Sequence, residues 1–376
     1  MRIALTGGGT AGHLFPLVAV VRQIKNLISQ NIWQIPPGEG SQVEFTFIGP
    51  ATVGEEVLMS EGVVYKRILA GKWRRYWSLE NLIDFLKIPL GFCQALWQLF
   101  WLMPNVIFSK GGYGSVPVVL AAWVFRIPVL IHESDAVPGL ANRFSAKLAS
   151  RIAISFAETN KFFPAAKTAL TGNPVREELQ SSDPTQARTI FGLIGAKPLL
   201  LVLGGSQGAQ PLNEVVLNAL QHLLARCEII HQCGVNNFEG IKQLFKGREW
   251  PEGYYLIPFL DENQLRAAYA AADLIISRAG AGSISEIAAL SKPSIIIPLP
   301  NSAADHQTKN ALDFSQSGAA IILEQVNLTP HLLQNEIFSL LDKPDVLKQM
   351  GEKARQFARP QASKEIAQEV LKIAKW

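Results

Sequence analysis

Two glycine-rich turns of similar grammar lie roughly half a chain apart, Gly7-Gly8-Gly9-Thr10-Ala11-Gly12-His13 near the start and Gly204-Gly205-Ser206-Gln207-Gly208-Ala209 past the middle. Each follows a short apolar run, Arg2 to Thr6 and Leu199 to Leu203, and each precedes a helical pattern. Glycines at a strand-to-helix turn let the free N–H groups of the helix start face a phosphate. A chain that builds this device twice is expected to form two α/β domains facing each other, with a ligand between them.

The intervening pattern agrees. Short apolar, largely β-branched runs recur at Val43 to Ile48, Val106 to Phe108, Val129 to Ile131 and Arg151 to Ile154. They continue at Glu228 to His231, Tyr254 to Ile257, Leu274 to Ile276, Ser294 to Ile297 and Ala320 to Leu323. Amphipathic stretches separate them; Leu14, Leu17, Val18, Val21, Ile24 and Ile28, for example, share one helix face. Strand and helix in alternation predict parallel sheets covered on both faces. With 376 residues, 48% hydrophobic and 18% charged, the chain is long and apolar enough for two cores. Turn formers and charge replace the apolar pattern from Thr171-Gly172-Asn173-Pro174 to Ser181-Ser182-Asp183-Pro184, so the domains are expected to divide at 172–173. Asn31 to Gln42, with Pro36-Pro37-Gly38 inside, reads as an exposed loop.

Cys93, Cys227 and Cys233 have neither metal-ligand spacing nor a disulfide pattern, which fits a reducing compartment. Met1-Arg2 leads into a short strand and glycines, not the continuous apolar stretch of a signal peptide, so the protein is expected to stay inside the cell. A net charge of +4 favours anionic substrates or lipid surfaces, and without a basic stripe interleaved with aromatics nucleic acid is not an expected partner.

Several polar groups fall where such sheets bind ligands. His13 stands in the first turn of a helix whose positive end favours the neutral imidazole a general base requires; capping that helix is the alternative. Lys110-Gly111-Gly112-Tyr113, after the run Val106 to Phe108, can receive a diphosphate or simply turn the chain. Ser206 belongs to the second glycine loop. Glu286 is read on the first turn of a helix opened by Ala281, Gly282 and Ser283, either holding the two hydroxyls of a ribose or closing a capping box with Ser283. Asp305-His306-Gln307 follows the run Ser294 to Ile297, as a ligand-binding or a solvated loop.

In Leu82 to Met103 only Asp84 and Lys87 interrupt an apolar run that includes Trp97, Phe100 and Trp101. Pro89-Leu90-Gly91 is expected to break it, and it lies between two strands, so it is read as part core and part aromatic surface for anionic lipid. Lys72-Trp73-Arg74-Arg75-Tyr76-Trp77 adds basic charge to that surface.

Taken in order, these pieces resemble the MurG family of bacterial glycosyltransferases, which add N-acetylglucosamine (GlcNAc) from UDP-GlcNAc to lipid I to give lipid II. The resemblance is carried by GGGTAGH at 7–13, KGGYGSVP at 110–117, HESDAVPGLANR at 132–143 and TGNPVR at 171–176, then by GGSQGA at 204–209, SRAGAGSISEIAA at 277–289 and DHQTKNA at 305–311. It implies an α/β protein of GT-B architecture, two Rossmann-like doubly wound domains facing across a cleft. The acceptor would be held by 1–172 and the donor mainly by 173–351, with a C-terminal helix in 352–376 returning to the first domain. Carried over residue by residue, Ser206 would contact the donor diphosphate, Arg176 would lie near the nucleotide and Glu286 would hold the ribose. Ala281, Gly282 and Ser283 would line the sugar nucleotide, Gln307 and His306 would hold the GlcNAc hydroxyls, and the Leu260 backbone would meet the uracil. Thr10, Ala11 and Gly12 would face the donor from the first domain, with Asp135 near the sugar. Lys110, Gly111, Gly112 and Tyr113 would serve the acceptor diphosphate, and His13 would be the catalytic base.

This sequence has Ala11 where the family commonly has glycine, Asp135 where many members have asparagine, and His306 where some relatives have glutamine. No D-x-D pair occurs in the chain, so neither a metal nor another cofactor is expected, and the departing UDP would be met by helix ends, Ser206, Arg176 and Lys110. The resemblance further implies peripheral attachment to the cytoplasmic face of the membrane, with contacts to other cell-wall synthesis proteins. Alternatives are a UDP-GlcNAc epimerase of the same architecture, a nucleotide-sugar binding protein without catalysis, and an NAD-dependent oxidoreductase. Against the last, the first loop is not G-x-G-x-x-G, and Ile48-Gly49-Pro50 stands where an acidic residue is expected.

Overall fold

The computed structural model describes residues 1–8, 11–33, 42–52, 54–71, 79–180, 183–195, 197–205 and 208–375. They form two compact units, Met1–Val175 with Arg359–Trp376, and Arg176–Ala358.

In the first unit the order is β1 (Arg2–Thr6), α1 (Ala11–Ser29), β2 (Glu44–Gly49), α2 (Glu55–Ser60), β3 (Val64–Arg67), α3 (Leu79–Leu102), β4 (Val106–Ser109), α4 (Val116–Val124), β5 (Val129–Glu133), α5 (Leu140–Ser145), β6 (Arg151–Ile154) and β7 (Thr168–Leu170). Among the described residues the strands make one parallel sheet, β3-β2-β1-β4-β5-β6-β7. Its inner strands are apolar on both sides, as a sheet covered on both faces requires. Leu14, Leu17, Val18, Val21 and Ile24 of α1 pack into the same cluster as Ile3, Leu5 and Phe108. The edge strands β3 and β7 were not legible as strands, being short and partly exposed, with little apolar pattern to betray them.

α3 runs unbroken through Pro89 and Gly91, contrary to the expected break. Proline removes one helical N–H and crowds the preceding turn, but packing overrides that cost: Ala95 and Leu99 lie in the core, and Gln94 Oε1 accepts from Leu69 N–H at 2.7 Å. Gly91 has no Cβ where the Leu69 carbonyl comes close. Among the described residues no helix is long and apolar enough to cross a membrane.

The second unit contains α6 (Pro184–Phe191), β8 (Leu199–Leu203), α7 (Gln210–Arg226), β9 (Glu228–Gln232), α8 (Val235–Leu244), β10 (Tyr254–Ile257), α9 (Glu262–Ala271), β11 (Leu274–Ser277), α10 (Ala281–Ala289), β12 (Ser294–Ile296), α11 (His306–Gln316), β13 (Ala320–Ile322), α12 (Pro330–Leu341) and α13 (Pro344–Phe357). Its parallel sheet, β10-β9-β8-β11-β12-β13, has the same doubly wound order. Chain reversal about β1 and β8 creates a switch point in each sheet, and ligands bind such sheets at the carboxyl ends of the strands.

The chain changes unit at Val175–Arg176, just beyond the expected 172–173. Glu352 to Phe357 do not return to the first unit. They belong to α13, which stays in the second because Met350, Gly351 and Ala354 are buried there and Gly351 lies under the Ser291 carbonyl. The return begins at Arg359, and α14 (Ala362–Ile373) buries Ile366, Ala367, Val370 and Leu371 in the cluster that contains α1.

Candidate functional site

At the carboxyl edge of the first sheet the loops after β1, β4 and β5 carry the expected residues. Gly12 is exposed in the first turn of α1. Thr10 lies outside the described residues, as do the side chains of Ala11 and His13, although both backbones belong to α1. Lys110 N–H donates to the Thr6 carbonyl at 2.9 Å, tying the loop after β4 to the end of β1. Its ammonium is buried against the Ser134 hydroxyl, so of this loop Gly112 and Tyr113 are the partly open positions.

Gly111 and Gly112 both have left-handed backbone, φ +82° and +81°, and a Cβ on Gly111 would collide with the Asn142 amide. That amide is in turn fixed by Glu133, a residue that sequence reasoning passed over. Glu133 ends β5 and accepts from Asp135 N–H (3.0 Å), Gly139 N–H (3.3 Å) and Asn142 Nδ2 (2.9 Å), so one carboxylate clasps the whole loop that carries Asp135. Burial, with the Asp135 charge adding to it, raises the Glu133 pKa, and burial lowers that of Lys110, where Glu133 and Asp135 oppose the shift. A buried acid and a buried base thus underlie the two loops, a pattern often found at functional sites.

In the second unit the glycine loop after β8 turns on Gly205 and Gly208, both at φ +82°, and a side chain on Gly208 would strike the Cys233 carbonyl. Ser206 lies outside the described residues. The Leu260 backbone, expected to meet the base, donates its N–H to Gln232 Oε1 at 3.2 Å.

Arg176 and Glu286, distant in sequence, pair a buried guanidinium with a partly buried carboxylate: Arg176 Nη2 lies 2.9 Å from Glu286 Oε1, and Tyr269 Oη donates to Glu286 Oε2 at 3.1 Å. Burial opposes the Arg176 charge, but Glu286 outweighs it and holds the guanidinium firmly protonated; burial, then the Glu286 charge, push the Tyr269 phenol well up. Glu286 is not a capping residue. α10 starts at Ala281 with Gly280 as its cap and no side-chain cap bond, so Glu286 falls in the second turn, beyond the reach of a capping box.

Ala281, Gly282 and Ser283 form the first turn of α10, whose N-terminal N–H groups and dipole favour an anion. Before α11, Asn301, Ala304 and Asp305 hold left-handed backbone at φ 58°, 58° and 56°, a strain that costs non-glycine residues roughly 1–3 kcal/mol each and concentrates at functional loops. The loop presents His306, whose Nδ1 lies 2.6 Å from the Ala303 carbonyl, and Gln307, whose Oε1 accepts from Leu299 N–H at 2.9 Å. Among the described residues no group of three or more His, Cys, Asp or Glu is placed to hold a metal ion.

A second feature of the first unit is an apolar surface. Leu90, Trp97 and Trp101 recur at helical spacing on α3, and with Phe100, Trp123 and Val124 all are more than half exposed. Trp97, Phe100 and Trp101 also touch edge to face. The basic segment expected beside this surface, Lys72 to Trp77, lies outside the described residues.

Residues 3–154 match the Glycosyltransferase family 28 N-terminal domain, and residues 199–368 the Glycosyltransferase family 28 C-terminal domain. A UDP-N-acetylglucosamine–N-acetylmuramyl-(pentapeptide) pyrophosphoryl-undecaprenol N-acetylglucosamine transferase of Clostridium kluyveri is 38% identical over 90% of this chain and 91% of its own. A second of that name, from Bacillus cereus, is 35% identical over 98% of both chains. The crystal structure of Acinetobacter baumannii MurG aligns with a TM-score of 0.73 at 29% identity, covering 99% of each chain. A Neisseria meningitidis UDP-GlcNAc 2-epimerase, crystallised with UDP-GlcNAc, aligns at 0.67 over 99% of this chain and 100% of its own, but with 14% identity, a likeness of fold alone. The chain belongs to the MurG family of glycosyltransferases.

Proposed function

We propose that this chain transfers GlcNAc from UDP-GlcNAc to the 4-hydroxyl of MurNAc in lipid I, giving lipid II for peptidoglycan synthesis. The observation that carries this reading is the kinship to GlcNAc transferases along 90% of the chain. It is supported by the residues gathered at the carboxyl edges of both sheets.

The second unit binds the donor. The Ser206 loop and the α10 start take the diphosphate, Glu286 accepts the ribose hydroxyls with Arg176 beside it, and Gln307 and His306 hold the sugar. The Leu260 backbone meets the uracil. The first unit binds the acceptor diphosphate through the Lys110–Tyr113 loop; Lys110 acts as a cation beneath that loop, and an incoming anion favours its charged form.

Transfer is a displacement with inversion. The acceptor O4 bonds to the anomeric carbon as the bond to the UDP oxygen breaks, and His13, at the dipole-positive start of α1, takes the hydroxyl proton. Backbone N–H groups and Arg176 stabilise the departing diphosphate without a required divalent ion. The protein works peripherally at the cytoplasmic face of the membrane, beside lipid I and other cell-wall synthesis proteins; the exposed aromatics of α3 and α4, suited to anionic lipid, support this reading.

The test is incubation with labelled UDP-GlcNAc, with and without a lipid I analogue. UDP release that depends on acceptor is the expected result. Epimerisation without acceptor, or binding without turnover, overturns the reading.

A further inference from the structure

Arg278, the residue after β11, is only 9% exposed, yet among the described residues no carboxylate pairs with its charge. Burial works against the guanidinium and lowers its pKa. What holds it is a set of oxygens: Nη1 donates to the Ile297 carbonyl at 3.2 Å and lies 3.5 Å from that of Pro298, and Nη2 donates to Gln325 Oε1 at 2.6 Å. Ile297 follows β12 and Gln325 lies in the turn after β13, so one side chain gathers the carboxyl ends of three neighbouring strands. A charge kept in such a place costs more than an apolar side chain of similar size, so stability alone does not account for it.

The contacts continue through one peptide. The Pro298 carbonyl and the Leu299 N–H belong to the same rigid plane. Arg278 meets its oxygen side, and from the other edge Leu299 N–H donates to Gln307 Oε1 at 2.9 Å. A backbone N–H only donates, so the Gln307 oxygen is committed and its NH2 is turned the other way. The loop between carries Asn301, Ala304 and Asp305 in left-handed conformation, which persists only where surrounding contacts over-determine it. Arg278 grips that loop at its root, and at its far end Ser302 Oγ accepts from Gln307 N–H at 3.1 Å.

We propose that Arg278 is a positioning residue for the donor's sugar: by fixing the 298–299 peptide it sets the Gln307 carboxamide in register with the GlcNAc hydroxyls, without touching the ligand itself. This deepens the donor reading given above and rests on it. The nucleotide is held by other loops, so the effect of Arg278 belongs to the sugar.

Calorimetric titration of UDP and of UDP-GlcNAc into the full chain, with melting temperature as a check on folding, tests the assignment. Arg278→Lys keeps the charge but loses the fork that spans the strand ends. UDP-GlcNAc affinity should fall about tenfold, the scale of one neutral hydrogen bond, with UDP affinity within about twofold of wild type. Gln307→Ala should show the same sugar-selective loss, and the double variant should lose no more than Gln307→Ala alone, because Arg278 acts through that side chain. Gln325→Met removes the other tether of the guanidinium and should also weaken UDP-GlcNAc selectively; it decides the matter if Arg278→Lys does not fold. Equal weakening of both ligands, additive losses in the double variant, or an unchanged affinity for UDP-GlcNAc overturns the role of Arg278. If Gln307→Ala binds UDP-GlcNAc as the wild type does, the sugar reading fails and the proposal with it. A wild type that binds neither ligand defeats the donor reading itself.

Discussion

Arg176 Nη2 donates to Glu286 Oε1 across 2.9 Å, and both side chains are largely withdrawn from solvent, at 9% and 18% exposure. Glu286 therefore has two employments, as counter-ion to Arg176 and as the proposed acceptor of ribose hydroxyls. Removing one partner of a buried pair costs more than removing both, because the survivor keeps its desolvation penalty without its counter-charge.

Glu286→Ala should thus destabilise the chain by about 2–4 kcal/mol. The double change Arg176→Met with Glu286→Leu should recover most of that stability and still fail to bind donor. Glu286→Gln should fold almost normally and raise the KM for UDP-GlcNAc by about tenfold, since an amide retains one acceptor where the ribose calls for two. Denaturant melts and donor titrations on the three variants check this; a double change no more stable than Glu286→Ala would show that the pair contributes by shape alone.

Gly111→Ala introduces a Cβ at a left-handed residue, φ +82°, against the Asn142 amide. The conformation alone costs about 1–2 kcal/mol and the collision adds to it. Acceptor KM should rise while UDP affinity, a property of the other unit, remains at the wild-type value. Adding Asn142→Ala opens the space and should return part of the stability, a non-additivity that a double-mutant cycle measures directly.

His231 provides the pH dependence. It lies wholly buried, Nδ1 3.0 Å from Tyr254 Oη and Nε2 3.0 Å from Asn213 Oδ1, and burial pulls its pKa down to about 3. An unfolded histidine titrates near 6.5, so from about 6.5 down to about 3 the unfolded chain binds a proton that the folded chain refuses. The His231 contribution is full above that window and falls as the pH drops through it, by up to about 1.4 kcal/mol per unit. His231→Gln, which has groups to meet both Tyr254 and Asn213, removes this dependence. The stability gap between wild type and variant should narrow between pH 7 and pH 4.5; parallel curves would mean that His231 is not held neutral.

The parts of this molecule legible in its sequence are those with a periodic or glycine signature. The inner strands and α1 announce themselves by apolar spacing because both sheets are covered on two faces, and the glycine loops do so because a positive φ and a close backbone approach leave no substitute. The edge strands β3 and β7 carry no such mark. Glu286 was legible as a carboxylate near the start of a helix, though one turn too early, and its bond to Arg176 joins residues brought together only by the fold. Glu133 was passed over because it ends an apolar strand and reads locally as the place where pattern stops. What it does depends on the fold of the loop that follows, which brings Asp135 N–H, Gly139 N–H and the Asn142 amide of α5 back onto its carboxylate.

The exposed aromatics of the first unit lead to a prediction about location. Trp97 and Trp101 are 63% and 66% exposed, with ring centroids 5.8 Å apart, a large apolar area to leave in water. Burying one such side chain is worth about 1.5–3 kcal/mol, so a pair inserted at a lipid interface can dominate attachment. Trp97→Glu with Trp101→Glu removes that gain and adds charge that anionic lipid repels. In flotation with vesicles containing anionic phospholipid, the bound fraction should fall by at least about tenfold in partition coefficient. Turnover of a water-soluble, short-chain lipid I analogue should be preserved, because neither residue takes part in the proposed donor or acceptor contacts. Equal flotation of variant and wild type would remove the α3 face as the membrane surface, and loss of activity on the soluble analogue would place these tryptophans in the acceptor site instead.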